Sequence, residues 1–268
     1  MAVALEFSKK PKFLLALNDS LLMIKRSSTH IIRNTDQLLG TFFQPIMFLV
    51  LFTAVFGGAV GLALPEGVSY INFLMAGIIV QTIAFGSTTT AIAVTNDLQK
   101  GIIDRFRSLP MSSVAVLNGH VVSDVFRNAI STTVMLLAGL LFGFRSSASF
   151  VDWLAIAGII ILFSLAFSWL AAIVGVVAKS VEGVQWLTFV IIFPLTFASS
   201  AFVPAESMVP WLRGFAENQP ITLVIDTIRS LMLGVPVGDE GIRAVLWCLG
   251  ILVVSIPLAA YLFRKKTS

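Results

Sequence analysis

The chain has 268 residues, of which 57% are hydrophobic and only 12% charged, and its mean hydropathy is +0.95. Soluble proteins carry about 25% charged residues, so the composition excludes a soluble globular protein and marks an integral membrane protein. The net charge of +4 comes from basic residues gathered on one side of apolar spans, and gives no reason to invoke nucleic acid as a partner.

Residues 1–37 read as a cytoplasmic amphipathic segment. Phe13, Leu17, Leu21 and Ile24 recur at helical spacing, flanked by Lys9, Lys10, Lys12, Lys25 and Arg26, a pattern that suits a helix lying on the lipids of an anionic inner leaflet. The apolar patch at Phe13 is broken by Asn18, Asp19 and Ser20, so no cleavable signal peptide is expected.

A hydrocarbon core about 30 Å thick needs about 20 apolar residues as helix. Six windows qualify, at residues 41–60, 71–95, 118–144, 153–178, 184–203 and 244–263, and only the third holds ions, Asp124 and Arg127. The runs are continuously apolar instead of alternating with period two, which predicts helices and not a barrel. The expected fold is an all-α membrane protein with six transmembrane helices in residues 38–263 and a basic cytoplasmic tail, 264–268. Thirteen Lys and Arg residues fall on the side of the termini against four on the other, which predicts both termini in the cytoplasm. Cys248 lies within the last span and, as the single cysteine, makes no internal disulfide.

Taken in order, the first span has one G-x-x-x-G, Gly57 and Gly61, and the second carries Gln81, Thr82, Ser87, Thr88, Thr89 and Thr90. The loop after it, 96–110, reads "NDLQKGIIDRFRSLP". As a helix it places Leu98, Ile102, Phe106 and Leu109 on one face and Asp97, Lys100, Asp104 and Arg107 on the other. Asn96 suits an N-cap, Asp97 the positive end of the dipole, and Pro110 a stop. Such a helix either returns the chain along the membrane surface or offers its charged face to a cytosolic partner.

In the third span His120, Asp124 and Arg127 share one face. Intramembrane ions can mark a transport path or proton relay; a self-neutralising Asp124–Arg127 pair that fixes packing is the other reading. His120 has no catalytic or metal role here. The fifth span sets Thr188, Thr196, Ser199 and Ser200 among Phe189, Phe193, Phe197 and Phe202, with a kink expected at Pro194. These residues, with Gln81 and Thr82, suit a path for an amphipathic, partly aromatic molecule, or ordinary helix packing. In the last loop, 204–238, residues 221–233 form an amphipathic helix too short to span the bilayer. It is expected to dip into the outer leaflet and return, with Asp226 and Arg229 paired across one turn as part of an outer gate, or else to seal a dimer.

The run from Tyr70 through "NDLQKGIIDRFRSLP" to Asn128 resembles the signature region of permease subunits of type-2 ABC exporters, particularly the antibiotic-resistance branch typified by daunorubicin export. The matched positions are Asp97, Gly101, Arg105, Arg107, Leu109 and Pro110. "VPWLRGFAENQPITLVIDTIRSLMLG" (209–234) is similar to the family's extracytoplasmic segment, and "FQPIMFLVLFTAVFGG" (43–58) is a weaker match. The resemblance implies that 96–110 is a coupling helix, with Asp97, Lys100, Gly101, Asp104, Arg105, Arg107 and Pro110 as its residues, seated in a cleft of a separate ATPase. No G-x-x-x-x-G-K-[ST] loop occurs in the chain, so ATP and Mg2+ are expected on that ABC ATP-binding subunit and no cofactor or metal on this one. Family practice implies two ATPases with two permeases, a second copy or a paralogue, and a bacterial plasma membrane location. The cargo implied is a drug-like or lipid-like amphipath moved outward, the alternative being a polyprenyl-linked glycan or lipid. A secondary transporter or signalling protein would show more midplane charge and internal repeats. No nucleophile, base and orienter converge, so no enzyme activity is expected.

Overall fold

The structure, a computed structural model, describes residues 35–62, 64, 65, 67–100 and 113–267, with side chains for 43–62, 64, 65, 67–100 and 116–266. The expected N-terminal amphipathic segment and most of the 96–110 helix lie outside the described residues. Among these every regular element is helical. In chain order they are α1 (Thr35–Gly61), α2 (Tyr70–Gly86), α3 (Thr88–Gln99), α4 (Ser113–Leu141), α5 (Phe150–Val177) and α6 (Val181–Phe197). A 3-10 turn (Ala205–Ser207) follows, then α7 (Pro210–Ala216), α8 (Pro220–Leu233) and α9 (Asp239–Thr267).

Among the described residues five stretches are long and apolar enough to cross a membrane: Phe43–Gly61, Tyr70–Gln99, Val116–Leu141, Phe150–Val177 and Asp239–Lys266. The fifth expected span is shorter than its apolar run, because α6 stops at Phe197 after 17 residues. The stop has a cause in side-chain chemistry. The Thr196 hydroxyl bonds back to the Ile192 carbonyl at 2.9 Å, Ser199 Oγ donates to the Thr196 carbonyl at 2.5 Å, and Gln219 Nε2 donates to the Leu195 and Ala198 carbonyls at 2.8 and 2.6 Å. A helix end leaves its last carbonyls unpartnered, and here Gln219 supplies the donors.

Helix α5 is the hub, packed by α3, α4, α6, α8 and α9. Its start is fixed by a capping box, Ser149 with Asp152, which satisfies two otherwise orphaned groups at once. One apolar core joins Leu74, Ile78 and Ile79 of α2 to Phe163 of α5 and to Val224 and Ile228 of α8. A second, at the other end, joins Val94 and Leu117 to Trp169, Val176 and Phe263. Between them α3 and α5 approach closely at Gly175, where a Cβ would lie 2.9 Å from the Ala91 Cα. Thr95 Oγ1 donates to the Gly175 carbonyl at 2.8 Å across the same contact. Small residues let membrane helices meet backbone to backbone, so Gly175→Leu is expected to force α3 off α5. It should lower stability by about 1–3 kcal/mol or more, read as a drop in the thermal midpoint of the detergent-solubilised protein; an unchanged midpoint would contradict this packing.

Helix α8 departs from the two-faced pattern expected of it. Ile221, Val224, Ile225, Ile228 and Met232 are buried, but so are Thr222, Thr227 and Arg229. It is enclosed by α2, α5 and α9 instead of lying on the surface of the bundle. Pro220 opens it, and Gly234 closes it in the left-handed region at φ 68°, where glycine alone is unstrained.

Candidate functional site

Three polar assemblies interrupt the apolar bundle. The first sits where α2 gives way to α3. The sequence predicts one span across 71–95, and the structure keeps one apolar stretch from Tyr70 to Gln99 with its helix interrupted at Ser87. Arg127, reaching from α4, donates to the Gly86 carbonyl, which also receives the Thr89 hydroxyl at 2.6 Å. A carbonyl captured by side chains drops out of the helical ladder, and that is a recognised origin of such an interruption. A Cβ on Gly86 would lie 2.9 Å from Asn128 Oδ1 and 3.2 Å from Arg127 Nη2, so a side chain there would have to displace these two ends.

Arg127 also donates to Thr89 Oγ1 and forms the expected ion pair with Asp124, whose second oxygen accepts from Ser168 Oγ of α5. Asn128 Nδ2 donates to Ser164 Oγ, 2.8 Å away. Asp124, Arg127 and Asn128 are each 4% exposed or less. Buried ions of this kind persist only when paired and hydrogen-bonded, and this pair is held from α3, α4 and α5 together. Sequence reasoning found Asp124 and Arg127 but not Asn128, Ser164, Ser168 or Gly86. The signal available was the four-residue spacing of Ser164 and Ser168, which puts both hydroxyls on one face of α5.

The second assembly surrounds Arg229 of α8. Its Nε donates to the Phe73 carbonyl at 3.0 Å, Nη2 to the Ser200 carbonyl at 2.5 Å, and Nη1 to Asp226 Oδ1 at 2.5 Å. The guanidinium carbon stands 3.7 Å above the centre of the Phe73 ring, within range for a cation–π attraction. Ser200 Oγ donates to Asp226 at 2.6 Å. Asp226 and Arg229 thus pair as expected, and Ser200, assigned from the sequence to a substrate path, belongs to this cluster.

The third assembly gathers the ends of α3, α5 and α9. Asn96 is not an N-cap: α3 runs unbroken through it to Gln99, with Lys100 as the C-cap. Asp97 is buried and meets His120 Nε2 at 2.8 Å, so it faces α4 and not the outward charged face. Gln99 Nε2 donates to the Lys179 carbonyl at 2.8 Å, and Lys266 Nζ to the Val176 and Ala178 carbonyls at 2.5 and 3.1 Å. A lysine on the last carbonyls of α5 suits the negative end of its dipole. Lys100 is exposed, while Gly101, Asp104, Arg105, Arg107 and Pro110 lie outside the described residues.

The remaining path residues divide. Gln81 and Thr82 line a cavity between α1, α2 and α4, beside Arg127 and Asn128. On α6, Thr188 and Thr196 are buried and bond back to their own helix. Phe189, Phe193 and Phe197 form a ladder on the opposite, half-exposed face, with ring centres 5.0 and 4.2 Å apart. The ladder continues through Phe202 to Phe52 of α1, centres 4.9 and 4.5 Å apart. Among the described residues no three His, Cys, Asp or Glu side chains gather as metal ligands.

Residues 19–233 match the ABC-2 type transporter family. The chain is 32% identical over 234 residues to a daunorubicin resistance ABC transporter permease protein of Streptomyces coeruleorubidus, covering 87% of this chain and 81% of that one. It is 26% identical over 252 residues to a probable doxorubicin resistance ABC transporter permease protein of Mycobacterium tuberculosis, covering 92% and 89%. Nodulation protein J of Rhizobium meliloti is 29% identical over 237 residues, 85% of this chain and 86% of that protein.

Proposed function

Because this multi-pass membrane chain belongs to the ABC-2 type transporter family, a partner of ABC ATP-binding subunits, we propose that it is the permease of an ATP-driven exporter. ATP and Mg2+ bind the separate ATPase subunit. The observation that carries this reading is the end of the α2–α3 span. It delivers an exposed Lys100 at the mouth of the charged stretch 101–110 and is tied there by Gln99 to the Lys179 carbonyl just past α5, whose own end Lys266 of α9 caps. A segment that meets a nucleotide-driven partner needs such a stiff connection to the spans it moves.

In this reading α6 is a sixth, short span, both termini are cytoplasmic, the membrane is the bacterial plasma membrane, and α8 dips into the outer leaflet beside the release side. The cargo is a drug-like or lipid-like amphipath moved outward, supported by the resistance named in two of the relatives. Two permeases meet through the aromatic faces of α1 and α6. Phe43, Val55, Trp186 and Val190 are exposed there by 59–71%, and the Phe52–Phe202 stack makes the two faces continuous. Two ATPases complete the complex.

The tagged protein, solubilised from its own membranes, is expected to bring an ABC ATPase with it. Asp104→Lys with Arg107→Glu should leave insertion intact but abolish substrate-stimulated ATP hydrolysis. Reproducible absence of the ATPase, or normal stimulation in the reversed variant, would overturn the reading.

A further inference from the structure

A cavity of about 370 Å³ lies between α1, α2 and α4, within the range of roughly 300–1,000 Å³ typical of small-molecule sites. Pro45 and Phe48 of α1 and Phe85 of α2 make its apolar wall, and Gln81, Thr82, Thr89, Arg127 and Asn128 its polar floor. Most of that floor is already engaged. Thr82 Oγ1 donates to the Ile78 carbonyl at 2.7 Å, Thr89 Oγ1 to Gly86, Asn128 to Ser164, and Arg127 to Gly86, Thr89 and Asp124. Arg127 Nε is buried without a partner, Gln44 lines the exposed rim, and the remaining unengaged group is Gln81. It is 3% exposed, lines the cavity, and its amide has no hydrogen-bond partner among the described residues. Buried side-chain amides are nearly always partnered, and an unpaired one in a cavity wall is satisfied by whatever fills the cavity.

The charge of the floor narrows what that occupant is. The ions at this depth, Asp124 and Arg127, neutralise each other, so a charged group entering beside them would have no counter-ion and would lose its hydration. The Gln81 amide, both donor and acceptor, reads a hydroxyl or carbonyl equally well. Building on the exporter reading, we propose that this cavity within a single subunit binds the uncharged hydroxyl- or carbonyl-bearing end of an amphipathic molecule. Gln81 is its specificity residue, and Phe48 and Phe85 clamp the apolar body. The same polar end occurs on a free aromatic compound and on a neutral glycerolipid, and the probes separate the two.

The test uses the permease with its co-purified ATPase in phosphatidylcholine nanodiscs. The probes are the fluorescent uncharged aglycone of daunorubicin and daunorubicin itself, which carries a protonated amino sugar. Saturable aglycone binding is expected, tighter than that of daunorubicin, and weakened about tenfold or more by Gln81→Met, which keeps size but removes both polar atoms. In a Cys248→Ser background the aglycone should also slow alkylation of Gln81→Cys, a readout that survives if the methionine variant folds poorly. Displacement of the aglycone by dioleoylglycerol assigns the polar end to a lipid, and failure to displace it assigns it to the free molecule. Binding that is unsaturable, indifferent to Gln81→Met with no protection of Gln81→Cys, or stronger for the cation overturns the proposal. If the ATPase is present and active in that sample, the exporter reading stands without the cavity assignment; if no ATPase co-purifies, the exporter reading itself fails.

Discussion

Arg127→Leu is expected to destabilise the protein by about 3–5 kcal/mol, because it leaves the Asp124 carboxylate buried without its counter-ion. Two further losses fall on the same site. Thr89 and the Gly86 carbonyl lose a donor from α4, and the junction between α2 and α3 loses its tie to that helix. Removing the charge on both sides changes the outcome. Asp124→Asn with Arg127→Met leaves no buried ion, keeps an amide for Ser168, and fills most of the guanidinium's volume. Replacing a buried pair outright is often near neutral, so the double variant should recover most of what the single one loses. Denaturant or thermal titration of the detergent-solubilised protein reads the whole cycle. Losses in Asp124→Asn and in Arg127→Met that simply add up to the loss in the double variant would mean that Asp124 and Arg127 are not energetically coupled. In that case the local spacing that reveals the pair would carry no structural weight.

That pair shows what the sequence makes legible. Three residues apart on a helix is a local relation, fixed by helical geometry alone, and so Asp124–Arg127 and Asp226–Arg229 are both readable from spacing. The same holds for the apolar runs, whose lengths predict all the long helices. What the spacing does not carry is which distant group a side chain meets. Ser168 and Gly86 join Asp124 and Arg127 from other helices, so the interruption between α2 and α3 is invisible in a run that simply lacks charges. The early end of α6 is hidden for a like reason, since Gln219 caps it from more than twenty residues away. Asn96 misleads differently: its cap propensity is real, but Thr95 and Gln99 on either side are tied to α5, and tertiary contact carries the helix through it. In α8 the pattern places Thr222 and Arg229 on a polar face. The bundle closes over that face around Arg229, which finds partners in the Phe73 and Ser200 carbonyls, while the Thr222 hydroxyl is buried without one.

Arg229 therefore supports the second large effect, and here geometry outweighs charge. Its guanidinium joins three elements at once: the Phe73 carbonyl and ring on α2, the Ser200 carbonyl beyond α6, and Asp226 on α8. Ala201 beside it packs so close to α2 that a Cβ on Gly77 would come within 2.7 Å of the Ala201 Cα, and Tyr70 Oη fixes the Phe202 carbonyl at 3.0 Å. The turn after α6 is thus pinned to α2 by donors from side chains as well as by the apolar packing of Ala201 and Phe202. Arg229→Met should lower stability by about 3–5 kcal/mol, since it strands a carboxylate and two buried carbonyls together. Arg229→Lys keeps the charge but has neither the fork nor the flat face needed to serve the three partners and stack on Phe73. It is expected to restore less than about half of the loss. Thermal midpoints give the magnitude, and limited proteolysis within residues 198–209 gives the location, because that turn should become the first cleaved segment. A lysine variant as stable as the unaltered protein would show that the charge alone suffices, and would remove the directional contacts as the reason α8 is held inside the bundle.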